Sequence, residues 1–214
     1  MRKLLFIAVL IPILAGLGWW YFREQALPDY GPLYREYAYV TNGKSNSVSV
    51  LDLLQLRNVK TIAVGSGPTG VAISPTRNEI YIANSDSSNV SIIDAERNQL
   101  VATIGVHAKP YYVSVSPDGK RAYVANAGSS NVSVIDLAKR AVIATIRVGN
   151  APGMAKVSPD GKLVVASNRA DNTISIIDAD RLAVKDTVQV CEQPQDIVIL
   201  PDNSKVFTAC PGFA

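Results

Sequence analysis

The side chains best suited to chemistry sit in two short loops. One reads His107-Ala-Lys-Pro110 and runs into Tyr111 and Tyr112; the other reads Cys191-Glu-Gln-Pro194 and runs into Gln195 and Asp196. Histidine is the side chain that titrates near neutrality, so His107, with Lys109, Tyr111 and Tyr112, can bind an anion or exchange a proton. Glu192, Gln193, Gln195 and Asp196 offer the oxygen ligands that a hard cation such as Ca²⁺ prefers. Each loop also has a plainer reading, as solvated surface that happens to carry polar groups. No residue is assigned a catalytic role and none is assigned to a metal.

The rest of the chain restricts the chemistry further. There is one histidine and there are two cysteines, Cys191 and Cys210. A single histidine excludes a multi-histidine metal centre within this chain. No Cys-x-x-Cys-His run supports covalent haem attachment, so no cofactor is evident from the residues. No paired carboxylates occur in successive loops, and no nucleophile elbow is present. The net charge is +3, two of those charges being Arg2 and Lys3. No clustered basic face of the kind that binds nucleic acid is visible.

The elements that must position these loops announce themselves by repetition. Tyr39-Val-Thr-Asn42 returns as Tyr81-Ile-Ala-Asn84, Tyr123-Val-Ala-Asn126, Val165-Ala-Ser-Asn168 and Phe207-Thr-Ala-Cys210, each step being 42 residues. Pro68, Pro110, Pro152 and Pro194 keep the same step, as do Asp52, Asp94, Asp136 and Asp178. A period in this range means a repeat architecture. Within the copy at 111–152, four runs rich in Val, Ile and Tyr read as strands: Tyr111–Ser116, Arg121–Asn126, Asn131–Asp136 and Ala141–Val148. The turn Ser116-Pro-Asp-Gly119 joins the first two, and the loops are short enough for antiparallel pairing. Four such strands per unit make a β-propeller blade. The recurrent Ser49, Ser91, Ser133 and Ser175 read as small residues that let blades pack closely. The recurrent Asp reads as a turn residue bonded to the backbone N–H groups just ahead.

The Tyr39-Val-Thr-Asn42 tetrapeptide, the Ser-Pro-Asp-Gly turns and the Ser-Asn-x-Val-Ser-Val/Ile-Ile-Asp blocks together resemble the YVTN-family β-propeller repeat proteins over residues 37–210. The resemblance implies kinship with seven-bladed lactonase-like and cytochrome-d1-like propellers, whose activities differ. It also implies that ligands sit near the central channel, where the inter-blade loops lie. Those loops read Gly65-Ser-Gly-Pro68, His107-Ala-Lys-Pro110, Gly149-Asn-Ala-Pro152 and Cys191-Glu-Gln-Pro194. The second and fourth depart most from the repeat. Arg169 and Asp171, in a top-face loop where other copies have Ser and Gly, read as a surface pair.

The expected organisation is an anchor over residues 1–24, a linker over 25–36 and repeats over 37–214. The repeats divide into a partial blade at 37–68, full blades at 69–110, 111–152 and 153–194, and a partial one at 195–214. Leu4–Phe22 is uncharged, follows Arg2-Lys3 and ends in Trp19-Trp-Tyr-Phe22. At helical rise it spans roughly 28 Å, the thickness of a bilayer core. The basic head keeps the N-terminus cytoplasmic and exports the remainder. This predicts an inner-membrane-anchored periplasmic protein; the alternative is secretion after signal cleavage. The first blade lacks an innermost strand and the last is incomplete, so the expectation is part of a seven-bladed propeller. A closed four-bladed ring is the alternative. Open apolar blade faces would favour self-association. Pairing Leu200 with Lys205 puts Gln195 opposite Cys210, so Cys191 and Cys210 both lie at the top of one blade. They form a disulfide candidate in an oxidising compartment, a partner elsewhere being the alternative. Two functions remain in view. The preferred one is a binding or scaffold module that presents its top loops to a protein or small ligand. The other is a lactonase-like hydrolase or a haem- or quinone-carrying enzyme completed by further blades.

Overall fold

A computed structural model describes residues 36–211. The anchor expected over 1–24 and all but Glu36 of the linker lie outside the described residues, as do 212–214. Among the described residues no helix is long and apolar enough to cross a membrane.

The described body is built of antiparallel sheets in chain order. The first sheet holds β1 (Tyr37–Asn42), β2 (Ser47–Asp52) and β3 (Arg57–Ala63). The second holds β4 (Pro68–Ile73), β5 (Glu79–Asn84), β6 (Asn89–Asp94) and β7 (Gln99–Gly105). The third holds β8 (Pro110–Val115), β9 (Arg121–Asn126), β10 (Asn131–Asp136) and β11 (Ala141–Arg147). The fourth holds β12 (Pro152–Val157), β13 (Leu163–Asn168), β14 (Thr173–Asp178) and β15 (Ala183–Gln189), and β16 (Asp196–Ile199) pairs with β17 (Val206–Ala209). These sheets are propeller blades. The first strands of the three full blades begin at the repeat proline, one residue before the expected blade boundary, because Pro68, Pro110 and Pro152 pair with Asn84, Asn126 and Asn168; β16 starts at Asp196, after Pro194.

The core lies between blades, which explains why both strand faces are apolar. Ile80 and Ile82 pack towards the first blade with Val48 and Val50, while Tyr81 and Ala83 between them pack towards the third with Val113 and Val124. Tyr123 and Ala125 repeat the pattern towards Ala155, Val164 and Ile177. Period-2 alternation thus feeds two different cores from one strand. Fully burying one such aliphatic side chain is worth about 1.5–3 kcal/mol. The outermost strands bury little: β3, β7 and β11 each bury one residue, Ile62, Ile104 and Ile146, and β15 is exposed along its whole length. Where third and fourth strands pair, the register slips at Val50/Leu51, Ile92/Ile93, Val134/Ile135 and Ile176/Ile177. A bulge there raises the local twist.

The recurrent Asn is the most telling structural residue. Asn126 is wholly buried; its Nδ2 donates to Asn131 Oδ1 and Ser133 Oγ, both at 2.8 Å. Asn84 makes the same pair with Asn89 (2.8 Å) and Ser91 (2.9 Å). Asn168 uses Thr173 and Ser175, both at 2.9 Å. Asn131 Nδ2 donates to the Ser129 carbonyl at 3.1 Å, which fixes Asn131 Oδ1 as the acceptor and so fixes which end of Asn126 faces it. The recurrent serine is therefore a hydrogen-bond partner that ties the second strand to the third; small size alone is not its role. The recurrent Asp behaves as a turn residue. Asp136 Oδ1 accepts from the N–H groups of Ala138 (3.0 Å) and Lys139 (2.9 Å), and Asp52, Asp94 and Asp178 do the same.

Candidate functional site

The first strands β4, β8, β12 and β16 pack side by side and form the inner wall. The repeat-equivalent residues at the start of these strands are Thr69, Tyr111, Gly153 and Gln195, the last immediately before β16, followed by Gly70, Tyr112, Met154 and Asp196. At the top of this wall, Tyr111, Gly153, Met154, Arg169, Gln195 and Asp196 enclose a cleft of about 220 Å³.

Arg169 organises the cleft. It follows β13 in a loop where the equivalent residues are Ser85 and Ala127. Its guanidinium carbon lies 4.8 Å from the centroid of the Tyr111 ring, a cation–π contact worth about 0.5–1 kcal/mol at an exposed site. Gly153 makes this possible: a Cβ there would come within 2.9 Å of Arg169 Cδ. Arg169 Nε reaches the Ala151 carbonyl at 3.5 Å. Its terminal nitrogens have no hydrogen-bond or ion-pair partner among the described residues. The expected pairing with Asp171 does not form. Asp171 instead accepts from Asn150, at 2.7 Å from the backbone N–H and 2.9 Å from the side-chain amide.

On the far side of the cleft, Asp196 Oδ1 accepts from the Ile197 N–H at 2.7 Å. The Tyr112 phenol is held neutral to higher pH than usual, first by burial and then by the Asp196 charge. The arrangement thus sets one uncommitted cation and one carboxylate beside the Tyr111 ring and the Met154 thioether. A small ligand bearing an anionic group matches it.

The loop residues singled out by sequence are divided by the fold. Tyr111 and Gln195 reach the cleft. His107 is exposed, and its Nε2 lies 3.0 Å from Thr145 Oγ1 on β11. Lys109 has left-handed backbone (φ 51°), and its carbonyl accepts from Ala127 N–H. Glu192 is exposed. Gln193 also takes the left-handed turn (φ 49°), its N–H donating to Asn172 Oδ1 at 2.9 Å. Among the described residues, no three His, Cys, Asp or Glu side chains gather where they could hold a metal ion. Cys191 and Cys210 are disulfide-bonded, with Cα atoms 6.0 Å apart, tying the last inter-blade loop to the end of β17. Gly153 and Met154 were not marked by sequence reasoning. The usable signal was the missing side chain at 153, where the equivalent positions of the other copies carry Thr69, Tyr111 and Gln195.

No curated protein sequence matches the chain. Among solved structures it is similar to hydrazine synthase of Kuenenia stuttgartiensis, with 28% identity and a TM-score of 0.73 over 79% of this chain and 51% of that one. The chain therefore spans about half the length of that relative. The sequence model of the family described as the cytochrome D1 heme domain matches residues 76–210, more than half of the chain. With the in-phase repeats and the blade architecture, this places the chain in the cytochrome D1 heme domain family.

Proposed function

We propose that the chain is an exported, membrane-anchored propeller module that binds a small anionic ligand in the top-face cleft between Tyr111, Arg169 and Asp196. The observation carrying this reading is the Arg169 guanidinium, stacked on Tyr111 with its terminal nitrogens uncommitted. Planar, charged and forked, it suits a carboxylate or a phosphate. Gln195 and Met154 complete a floor that can accept the rest of a small molecule. Nothing in the cleft pairs a nucleophile with a base, so binding is favoured over hydrolysis.

The experiment is a thermal-shift series with small aromatic and aliphatic acids on the full chain. Stabilisation by one acid class should vanish in Arg169→Ala and persist in His107→Ala. Equal shifts in wild type and Arg169→Ala would refute the site. The anchor is tested separately, by alkaline extraction of membranes and by a reporter fused after Arg35. Release into the soluble fraction would favour cleavage of the leader.

The family description points to a second reading, a haem carrier. The fit of the present residues to a tetrapyrrole is poor. The cleft of about 220 Å³ falls below the ~300–1,000 Å³ usual for ligand pockets. The chain's one imidazole, His107, lies beside Thr145 and does not line the cleft. The described residues do not by themselves make a haem site. The family match still favours this reading for a longer assembly. The absorbance spectrum of the full-length protein, purified from its own membranes, decides it: a Soret band would favour the carrier.

A further inference from the structure

The end of the blades that carries the turns between first and second strands, opposite the inter-blade loops, holds a further cavity, and the repeat itself supplies the means to interpret it. Between the second and third blades, the Glu79 carboxylate fills the inter-blade space, its side chain only 15% exposed. Its Oε2 accepts from the Tyr81 hydroxyl at 2.6 Å, and its Oε1 accepts from Arg140 Nη2 at 2.9 Å. Arg77 stands 3.8 Å from the same carboxylate and donates to the Leu137 carbonyl at 3.0 Å.

One blade later the tyrosine remains and the carboxylate does not. Tyr123 replaces Tyr81, Arg121 replaces Glu79 and Leu182 replaces Arg140. Arg121 Nη1 donates to the Ala179 carbonyl at 2.6 Å, the counterpart of the Arg77 bond to Leu137. The Tyr123 residue is 1% exposed; the Arg121 guanidinium lies against its hydroxyl oxygen, and no carboxylate among the described residues accepts its proton as Glu79 does that of Tyr81. In place of the carboxylate is a cavity of about 420 Å³, lined by Arg121, Tyr123, Lys162 and Asp180 among others. Two further carboxylates on its wall are already committed to their own turns. Asp118 accepts from the Ser116 hydroxyl at 2.6 Å and the Lys120 N–H at 3.0 Å. Asp160 accepts from the Ser158 hydroxyl at 2.6 Å and the Lys162 N–H at 3.1 Å. Lys162 makes no ion pair among the described residues. Asp180 carries the one uncommitted negative charge on the wall, which disfavours dianions and suits a ligand that also bears a positive group.

We propose that this cavity binds a small monocarboxylate, which takes the place that Glu79 fills one blade earlier. One carboxylate oxygen accepts from the Tyr123 hydroxyl and the other from the Arg121 guanidinium. The site is separate from the top-face cleft and does not depend on it.

The test uses the full chain carrying Arg169→Ala, which disables the upper site, titrated with propionate and with glycine by ligand-observed NMR. Saturable binding of at least one is expected. Tyr123→Phe should weaken it about tenfold or more, the loss of a hydrogen bond to a charged group. Arg121→Glu combined with Leu182→Arg should abolish it, because the protein's own carboxylate then occupies the seat. The absence of saturable binding overturns the proposal. So does binding that survives the double substitution in a protein with an unchanged circular-dichroism spectrum. If the double variant fails to fold, Tyr123→Phe decides alone: unchanged affinity overturns the site.

Discussion

Asn126→Ala tests what holds each blade together. The substitution removes two hydrogen bonds, to Asn131 Oδ1 and Ser133 Oγ. The Ser133 hydroxyl can turn and become a donor, but Asn131 Oδ1 is an acceptor only and its residue is 9% exposed. Each lost bond costs about 1 kcal/mol, and a stranded buried acceptor about 1–3 kcal/mol more. These terms add to about 3–5 kcal/mol; Asn126 Oδ1 is itself buried without a partner, and removing it returns about 1 kcal/mol, which leaves about 3 kcal/mol. For a body of this size that lowers the melting temperature by about 6–12 °C. Asn42→Ala is the internal control. Asn42 is only half-buried, and its acceptors are the Ser47 and Ser49 hydroxyls, at 3.3 and 2.9 Å. Both can rebond to each other or to water, so this loss should be about 1 kcal/mol. Melting followed by circular dichroism on both variants gives the comparison. Equal losses at the two sites, or a loss below about 1 kcal/mol at Asn126, would refute the claim that the buried amide carries the energy.

Three further outcomes follow from the same geometry. Reducing Cys191–Cys210 opens a loop spanning 19 residues, worth about 3 kcal/mol of chain entropy; hydrogen exchange should quicken at Ile197 and Thr208 and stay unchanged at Val124 and Val134. Asp94, Asp136 and Asp178 have carboxyls held below the usual range, first by the backbone N–H groups of Arg97, Lys139 and Arg181. Their folded-state values lie below the unfolded one, so this stability is complete above about pH 4 and is lost as the pH falls towards the folded values; a urea midpoint that stays flat from pH 5 to 3 would count against it. Gly153→Ala should displace Arg169 from Tyr111 with little change in melting temperature, because the atom in the way is a flexible side chain; it should weaken ligand binding at the cleft, read by the same thermal-shift series.

The repeat was legible because local chemistry fixes a blade. Strand periodicity, the Ser-Pro-Asp-Gly turn and the Asp that caps the next one act within a few residues, so each copy spells its own unit. The strands expected at Arg121–Asn126 and Asn131–Asp136 are found there, and Ala141–Val148 ends one residue early at Arg147. The role of the recurrent serine was not legible, because its partner Asn sits 7 residues earlier, on the neighbouring strand.

The site depended on a different scale. His107 and Lys109 stood out as departures from the repeat, yet the loop geometry keeps both out of the cleft. Arg169 and Tyr111 lie 58 positions apart and meet only because adjacent blades place their inner strands in contact. The sequence by itself determined the blades, since their hydrogen bonds close over short separations. Which unlike residues of successive copies face one another was decided by the tertiary structure, because inter-blade packing sets that distance and no single repeat encodes it.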